Sequence, residues 1–245
     1  MNNLKQEAAK AALQLLKPDQ LIGLGVGSTI AYFIELIASS ISFKSSLKFT
    51  SPSLETKMLL QENGLICVDN NILATLDYYF DSCDQVDIHL NAFKSGGGVH
   101  TGEKIMANMA QQFILLVDGS KMVEKLNTKY PLCVEIIPEA WLSVLKKLKS
   151  SYSTTISDIV LRKSEQKSGP LLSERGNFLA DIYFSKLPDI FDLNKQIKLI
   201  TGVVEHSLFY QLCSACLLAT EDDVTHLFAN NLGESDTDKN VTQWH

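Results

Sequence analysis

No stretch of this 245-residue sequence reaches the roughly 18 consecutive apolar residues of a membrane-spanning helix. The N-terminal segment MNNLKQEAAKAALQLL lacks the basic-then-apolar order and the cleavage site of a signal peptide, so a cytoplasmic protein is expected. Basic charge is short too. With 22 Lys and Arg against 28 Asp and Glu, the formal net charge is -6. That excludes a general attraction to nucleic acid or to an anionic membrane, and any anion must be held by a local site. Cys67, Cys83, Cys133, Cys213 and Cys216 form an odd, scattered set. Cys213 and Cys216 have CxxC spacing, but no second pair completes a metal site. The histidines (His89, His100, His206, His226 and His245) show no ligand spacing either. Buried, reduced thiols are expected rather than zinc or a redox couple. Internal repeats and low-complexity tracts are absent.

What is present is the composition of an ordinary globular protein, 45% hydrophobic and 20% charged. The length suits one large domain carrying a smaller one. Leu4, Ala8, Ala11, Ala12, Leu15 and Leu16 recur at helical spacing, and Pro18 closes that helix. Strands are predicted at Leu21–Leu24, Lys48–Ser51, Leu65–Val68, Tyr78–Phe80 and Phe113–Val117. Helices are predicted at Ile30–Ile37, from Ser53, and at Thr101–Gln112. Alternating strands and helices imply an α/β fold, a Rossmann-like and mostly parallel sheet covered on both faces. After about Pro131 the pattern changes. A strand at Val134–Ile137, a helix at Ala140–Leu148 and a strand at Thr154–Leu161 are followed by a hairpin over Leu171–Phe184, turning at Arg175–Asn177. A helix at Leu187–Gln196 and a short strand near Ile197–Ile200 complete a small α+β insert. Val203–Thr220 should then return the chain to the first sheet. The expected division is 1–130 with 203–228 as the Rossmann-like part, 131–202 as the insert, and 229–245 as a loose polar tail.

Two segments carry chemistry. The first, Gly23-Leu24-Gly25-Val26-Gly27-Ser28-Thr29, follows a strand and opens a helix. Its glycines let several backbone N–H groups meet one anion, and the helix end adds a favourable field. The spacing of a dinucleotide fingerprint fails, because position 28 is Ser and position 30 is Ile, and no Walker lysine follows. The second segment, DSCDQVDIHLNAFKSGGGVHTGEK, runs from Asp81 to Lys104. Asp81 and Asp84 share a side if the chain turns there as a helix does. They can hold sugar hydroxyls or relay protons, and a metal is the weaker option. Lys94 stands at the edge of a glycine loop, where an ammonium offsets charge developing on substrate oxygens. Glu103 falls in the first turn of a helix with Thr101 as a plausible cap. The helix field favours its ionised form, whereas desolvation acts the other way. Both segments lie outside the carboxyl ends of strands, where such sheets bind ligands.

These residues resemble A-type ribose-5-phosphate isomerases over roughly Leu4–Thr220. The resemblance is carried by GLGVGST, Asp81–Asp84, Lys94 with its glycines, Thr101–Lys104, Asp118–Lys121, Val134–Pro138, Gly176-Asn177 with Asp181, and Gly202–His206. It implies a Rossmann-like domain with a late ferredoxin-like α+β insert, acting as lid or oligomerisation domain in a homodimer or homotetramer. The implied reaction interconverts ribose 5-phosphate and ribulose 5-phosphate, in the pentose phosphate pathway, without metal or organic cofactor. By the same resemblance, Glu103 is the base, and Lys94, Asp81 and Asp84 hold the sugar oxygens and assist proton transfer. Val26, Gly27, Ser28 and Thr29 form the phosphate loop, with Lys5 and Lys121 as further contacts and Ser82, Cys83, Ser95, Gly96 and Gly97 around the sugar. Some positions depart from the family pattern. Val26 replaces a threonine, Ser82-Cys83 a Gly-Ala pair, Gln85 a glutamate, Ser95 a glycine and Gly102 an arginine. The alternative reading is a sugar-phosphate-binding protein or sensor without turnover.

Overall fold

The structure, a computed structural model, describes residues 3–164 and 168–229. Its main sheet has six strands in the spatial order Val224–Phe228, Ala215–Ala219, Ala110–Asp118, Leu76–Asp81, Leu21–Leu24 and Lys48–Thr50. Neighbouring strands run parallel except Val224–Phe228, which is antiparallel to Ala215–Ala219. The inner strands are apolar without alternation because both faces are covered. Ala8, Ala12, Ile30, Phe33, Ile34 and Ile37, from helices Leu4–Leu13 and Ser28–Ser40, pack on one face. Met106 and Ala107 of helix His100–Met109 meet Tyr79, Phe113 and Leu115 on the other. From Leu21–Leu24 the chain goes first to one side of the sheet, to Lys48–Thr50, and then to the other, to Leu76–Asp81. That reversal opens a crevice between the ends of Leu21–Leu24 and Leu76–Asp81.

A second, four-stranded sheet is antiparallel throughout, in the order Val203–His206, Leu132–Ile136, Phe178–Phe184 and Ile156–Leu161. Helices Trp141–Ser151 and Ile190–Lys198 cover it through Val144, Leu148, Leu193 and Ile197. The expected fold class, a mostly parallel α/β sheet with an α+β insert, is the one observed.

Several elements differ from the sequence-based expectation. Leu65–Val68 is not a strand of any length, and only Cys67 bridges Phe49. The helix expected to reach Gln112 closes at Met109, because Ala110 turns extended and Ala110–Gln112 pairs with Leu76–Tyr78. Long-range strand pairing overrides local preference there. No strand forms at Ile197–Ile200, where the helix Ile190–Lys198 continues and buries Ile197 beside Leu193. The chain regains the first sheet at Ala215 rather than at Val203, since Val203–His206 pairs with Leu132–Ile136. Within Leu171–Phe184 the hairpin is reduced to one bridge between Leu172 and Phe178, and Phe178–Phe184 instead pairs with Ile156–Leu161 and Leu132–Ile136. A third sheet was not expected at all. It joins Leu208–Phe209, Ala92–Phe93, Gln85–Asp87 and Met122–Val123, strands too short to show any periodicity. The tail expected to be loose lies, from Asn230 onward, outside the described residues.

Candidate active site

The first site loop is shaped by close approach. A Cβ on Gly25 would lie 1.9 Å from Cγ of Asp81, so glycine there lets the aspartate close beneath the loop. Gly27 has φ +113°, a conformation open to glycine at little cost, and it caps the helix Ser28–Ser40 without any side-chain hydrogen bond. The first-turn amides therefore face outward with the positive end of the helix. Two ammonium groups stand at this end. Lys5 Nζ donates to Ser28 Oγ at 2.9 Å, and Lys121 Nζ donates to Ser82 Oγ at 2.8 Å. Glycine turn, first-turn amides and lysines are the groups that suit an anion.

Asp81 ends its strand with its side chain fully buried. Its carboxylate accepts from the Tyr79 hydroxyl at 2.5 Å, from the Ser82 N–H at 2.7 Å and from the Val26 N–H at 3.3 Å. Lys94 Nζ lies 2.8 Å from the same carboxylate, donates to the Ser82 carbonyl at 2.5 Å, and lies 3.2 Å from Oε1 of Glu103. One ammonium thus sits between two carboxylates, away from bulk water. Burial opposes the charge on Lys94, but Asp81 and then Glu103 more than offset it and hold its pKa above the ordinary lysine range. Glu103 shifts in the direction that suits a base. Burial raises its pKa, Lys94 lowers it, Asp81 raises it again, and the balance is upward. Desolvation is the largest influence on Glu103, which stands in the first turn of the helix His100–Met109.

These groups surround a cavity of about 250 Å³ lined by Val26, Gly27, Ser28, Thr29, Ser82, Cys83, Asp84, Lys94, Gly96, Gly97, Val99, Glu103 and Lys121. It is smaller than the roughly 300–1,000 Å³ of drug-sized sites, as a small metabolite requires. Three residues expected around the ligand do not line it. Asp81 lies beneath Lys94 as its counter-ion. Ser95 turns its hydroxyl to the Pro131 carbonyl at 2.5 Å and to Ser207 Oγ at 3.1 Å. Lys5 stands outside the lining and reaches it through Ser28. Asp84 does not pair with Asp81. Its Oδ2 accepts from the N–H groups of Ser95 (2.6 Å) and Gly96 (3.0 Å), which shapes the glycine loop.

The unusual positions have local explanations. Gln85 is buried and makes a reciprocal pair with Asn127 at 3.0 and 2.9 Å, outside the cavity. At Gly102 a Cβ would come within 2.8 Å of Pro52 Cβ, so the residue before Glu103 has no room for a side chain. The Cys83 thiol borders the cavity but is pushed up to about 12 by burial, which keeps it neutral. Cys213 and Cys216 are buried, and no cluster suited to a metal ion occurs among the described residues.

Sequence reasoning missed the role of three supporting side chains. Tyr79 holds Asp81. Glu135 accepts from the Thr101 hydroxyl, from Ser173 Oγ at 2.7 Å and from Asn177 Nδ2 at 2.8 Å. Thr101 is therefore no helix cap, a position taken by Val99. Arg162 pairs with Asp181 and touches the glycine loop. The segments holding Glu135, Asn177 and Asp181 were visible as motifs, but nothing in their spacing revealed what they hold.

The model of the family "Ribose 5-phosphate isomerase A (phosphoriboisomerase A)" matches residues 48–223. The chain belongs to the ribose 5-phosphate isomerase A family. It is 34% identical to ribose-5-phosphate isomerase A of Pyrococcus furiosus over 229 residues, covering 93% of this chain and 98% of that protein. Identity with the Methanocaldococcus jannaschii protein of the same name is 39% over 214 residues, covering 84% and 90%. A solved D-ribose-5-phosphate isomerase in complex with phospho-erythronic acid superposes with a TM-score of 0.85 at 33% identity, covering 93% of this chain and 100% of that one. The solved Methanocaldococcus jannaschii ribose 5-phosphate isomerase A gives a TM-score of 0.84 at 35% identity, with 92% and 98% covered.

Proposed function

We propose that this isomerase-family chain interconverts D-ribose 5-phosphate and D-ribulose 5-phosphate through an enediolate, with Glu103 as the base. Glu103 takes the proton from one carbon of the sugar and returns it to the neighbouring carbon, while a hydroxyl proton moves between the two attached oxygens. The observation that carries this reading is Lys94 Nζ, held 2.8 Å from Asp81 and 3.2 Å from Glu103 beside the anion-holding loop. A raised pKa makes Glu103 a stronger base, and the fixed ammonium of Lys94 stabilises the oxygen that turns negative as the enediolate forms. Asp84, which borders the cavity, is placed to relay the oxygen-bound proton, whereas Asp81 acts through Lys94. The phosphate is bound by the Gly27–Thr29 turn with Lys121 and Lys5, away from the reacting carbons, so its binding energy aids orientation. Neither a metal nor an organic cofactor is needed for this proton transfer.

The test is direct. Purified protein mixed with ribose 5-phosphate should form ketose, and Glu103→Gln should nearly abolish it while leaving the fold intact. Tight binding with no ketose would favour a sugar-phosphate-binding protein instead. We further infer a homodimer or homotetramer built on the insert, as supported by Leu142 (73% exposed), Leu199 (68%) and Phe191 (54%), which all lie in that segment. Sedimentation of the purified chain as a monomer would contradict it. Free thiols at Cys67, Cys83, Cys133, Cys213 and Cys216 support a reducing, cytoplasmic compartment.

A further inference from the structure

We propose that Arg162 is a positioning residue that aims the backbone N–H of Gly97 into the cavity as a donor to the negatively charged oxygens of the reacting sugar. Arg162 lies on the insert, one residue past the strand Ile156–Leu161. Its guanidinium is held by a bidentate pair with Asp181, Nε to Oδ2 at 2.8 Å and one Nη to Oδ1 at 2.7 Å. Both side chains are largely buried, and a planar fork fixed in this way has little freedom to swing. The remaining donors reach the glycine loop. One meets the Ser95 carbonyl at 2.5 Å and the other the Gly96 carbonyl at 3.1 Å. Gly98, at φ +69°, makes that approach possible, since a Cβ there would lie 3.0 Å from the guanidinium.

Two consecutive peptides of the loop are oriented by these contacts. All described peptide bonds are trans, so each N–H points opposite to the carbonyl of its own unit. In the Ser95–Gly96 unit the carbonyl faces Arg162 and the N–H faces Asp84, a residue of the cavity lining. The Gly96–Gly97 unit also turns its carbonyl to Arg162, which sends the Gly97 N–H toward the same cavity side. Among the described residues that N–H has no acceptor. An exposed amide on the cavity wall with no acceptor from the protein is free to donate to a ligand. The cation on the far end of the peptide also polarises it.

The inference rests on the proposed reaction, and the test separates the two. Calorimetric titration would compare phospho-erythronic acid, whose carboxylate mimics the enediolate, with erythritol phosphate, which has an alcohol there. In Arg162→Ala the acid should weaken on the order of 10²-fold, the effect of a misplaced donor, while the alcohol binds as before. Arg162→Lys, which keeps the charge but cannot bridge two carbonyls and Asp181, should fall between, and kcat should follow the acid's affinity with KM little changed. If Arg162→Ala fails to fold, Arg162→Lys and Asp181→Asn make the same comparison. Equal weakening of both ligands, or no weakening of either, would overturn the assignment and leave Arg162 as a structural tie between the insert and the glycine loop. Absence of ketose from the unaltered protein would sink the proposed reaction, and the two-ligand comparison would still decide the role of Arg162.

Discussion

Glu103 and Lys104 are neighbours on one helix, yet the two faces they occupy treat buried charge in opposite ways. On the cavity face one ammonium, Lys94, is shared by two carboxylates, Asp81 and Glu103. On the far face one carboxylate, Glu205, is shared by two ammoniums, Lys104 at 2.9 Å and Lys198 at 2.8 Å. Lys104 is further satisfied by the carbonyls of His206 and Leu208 at 2.7 and 2.9 Å. The consequences diverge. Burial pushes Glu205 up, but Lys104 and Lys198 more than offset it and bring its pKa down to about 2. Glu103, raised first by burial and then by the second carboxylate nearby, shifts upward instead. Volume alone would favour the far face, where a hollow of about 740 Å³ compares with about 250 Å³ at the cavity. Charge favours the smaller one, because the raised pKa of Glu103 makes it the candidate proton acceptor of the two carboxylates. On the proposed reaction, the surplus of carboxylate suits proton transfer, and the surplus of ammonium on the far face ties helix His100–Met109 to the insert.

The sharpest way to break this contrast is to remove each carboxylate's charge in turn. Glu103→Gln should lower ketose formation by roughly 10²–10⁴-fold, measured as initial rate, because the amide cannot accept the proton. Unchanged turnover would place the base elsewhere. Glu205→Gln should act on stability, costing up to roughly 3–5 kcal/mol in denaturant unfolding, since it takes the counter-charge from two lysines, one of them largely buried. A loss below 1 kcal/mol would show that the two faces do not differ as argued.

Acidity sharpens the comparison further. Burial, then Lys104, lowers His100 to about 4 and His206 to about 3, from an ordinary 6.5. The unfolded chain therefore binds more protons across that window, so this stability is complete above pH 6.5 and is lost as pH falls toward 4 and then 3. For His100 the loss is on the order of 3 kcal/mol, and His100→Gln should flatten the acid limb of a stability-against-pH curve. Glu103 has the opposite sign. Its pKa is raised in the folded state, so its contribution is full below the unfolded value of 4.5 and is lost as pH rises through the raised value. Glu103→Gln should accordingly gain about 1 kcal/mol over the unaltered protein on the alkaline side, measured by thermal melting at two pH values. In the unaltered enzyme, turnover should fall as pH drops below the raised value, because only the ionised carboxylate accepts a proton.

Much of the site was legible before any coordinate. Gly25, Gly27, Lys94 and Glu103 stood out because few other residue types serve a tight turn, a caged ammonium or a buried base. Asp81 and Asp84 were legible as important and illegible as to role. Spacing suggested two carboxylates side by side, whereas Asp81 ends a strand beneath Lys94 and Asp84 cradles the glycine loop. Tyr79 looked like core, and its ring is core, but its hydroxyl belongs to Asp81. Arg162 had no local signature and the motif holding Glu135 did not show its role, because Gly96 and Thr101, which they meet, lie 66 and 34 residues away in the chain.

The apolar runs and the glycine turn of the sequence determined a parallel sheet with a ligand crevice, since strand burial and φ > 0 at Gly27 are local requirements that the chain states outright. Only tertiary structure decided that burial raises the pKa of Glu103, that Asp81 pairs with the Lys94 ammonium, and that Val203–His206 pairs with Leu132–Ile136 of the insert. Those outcomes depend on which distant groups share a dry space, and neither Coulomb attraction at 3 Å nor strand pairing has a signature in sequence spacing.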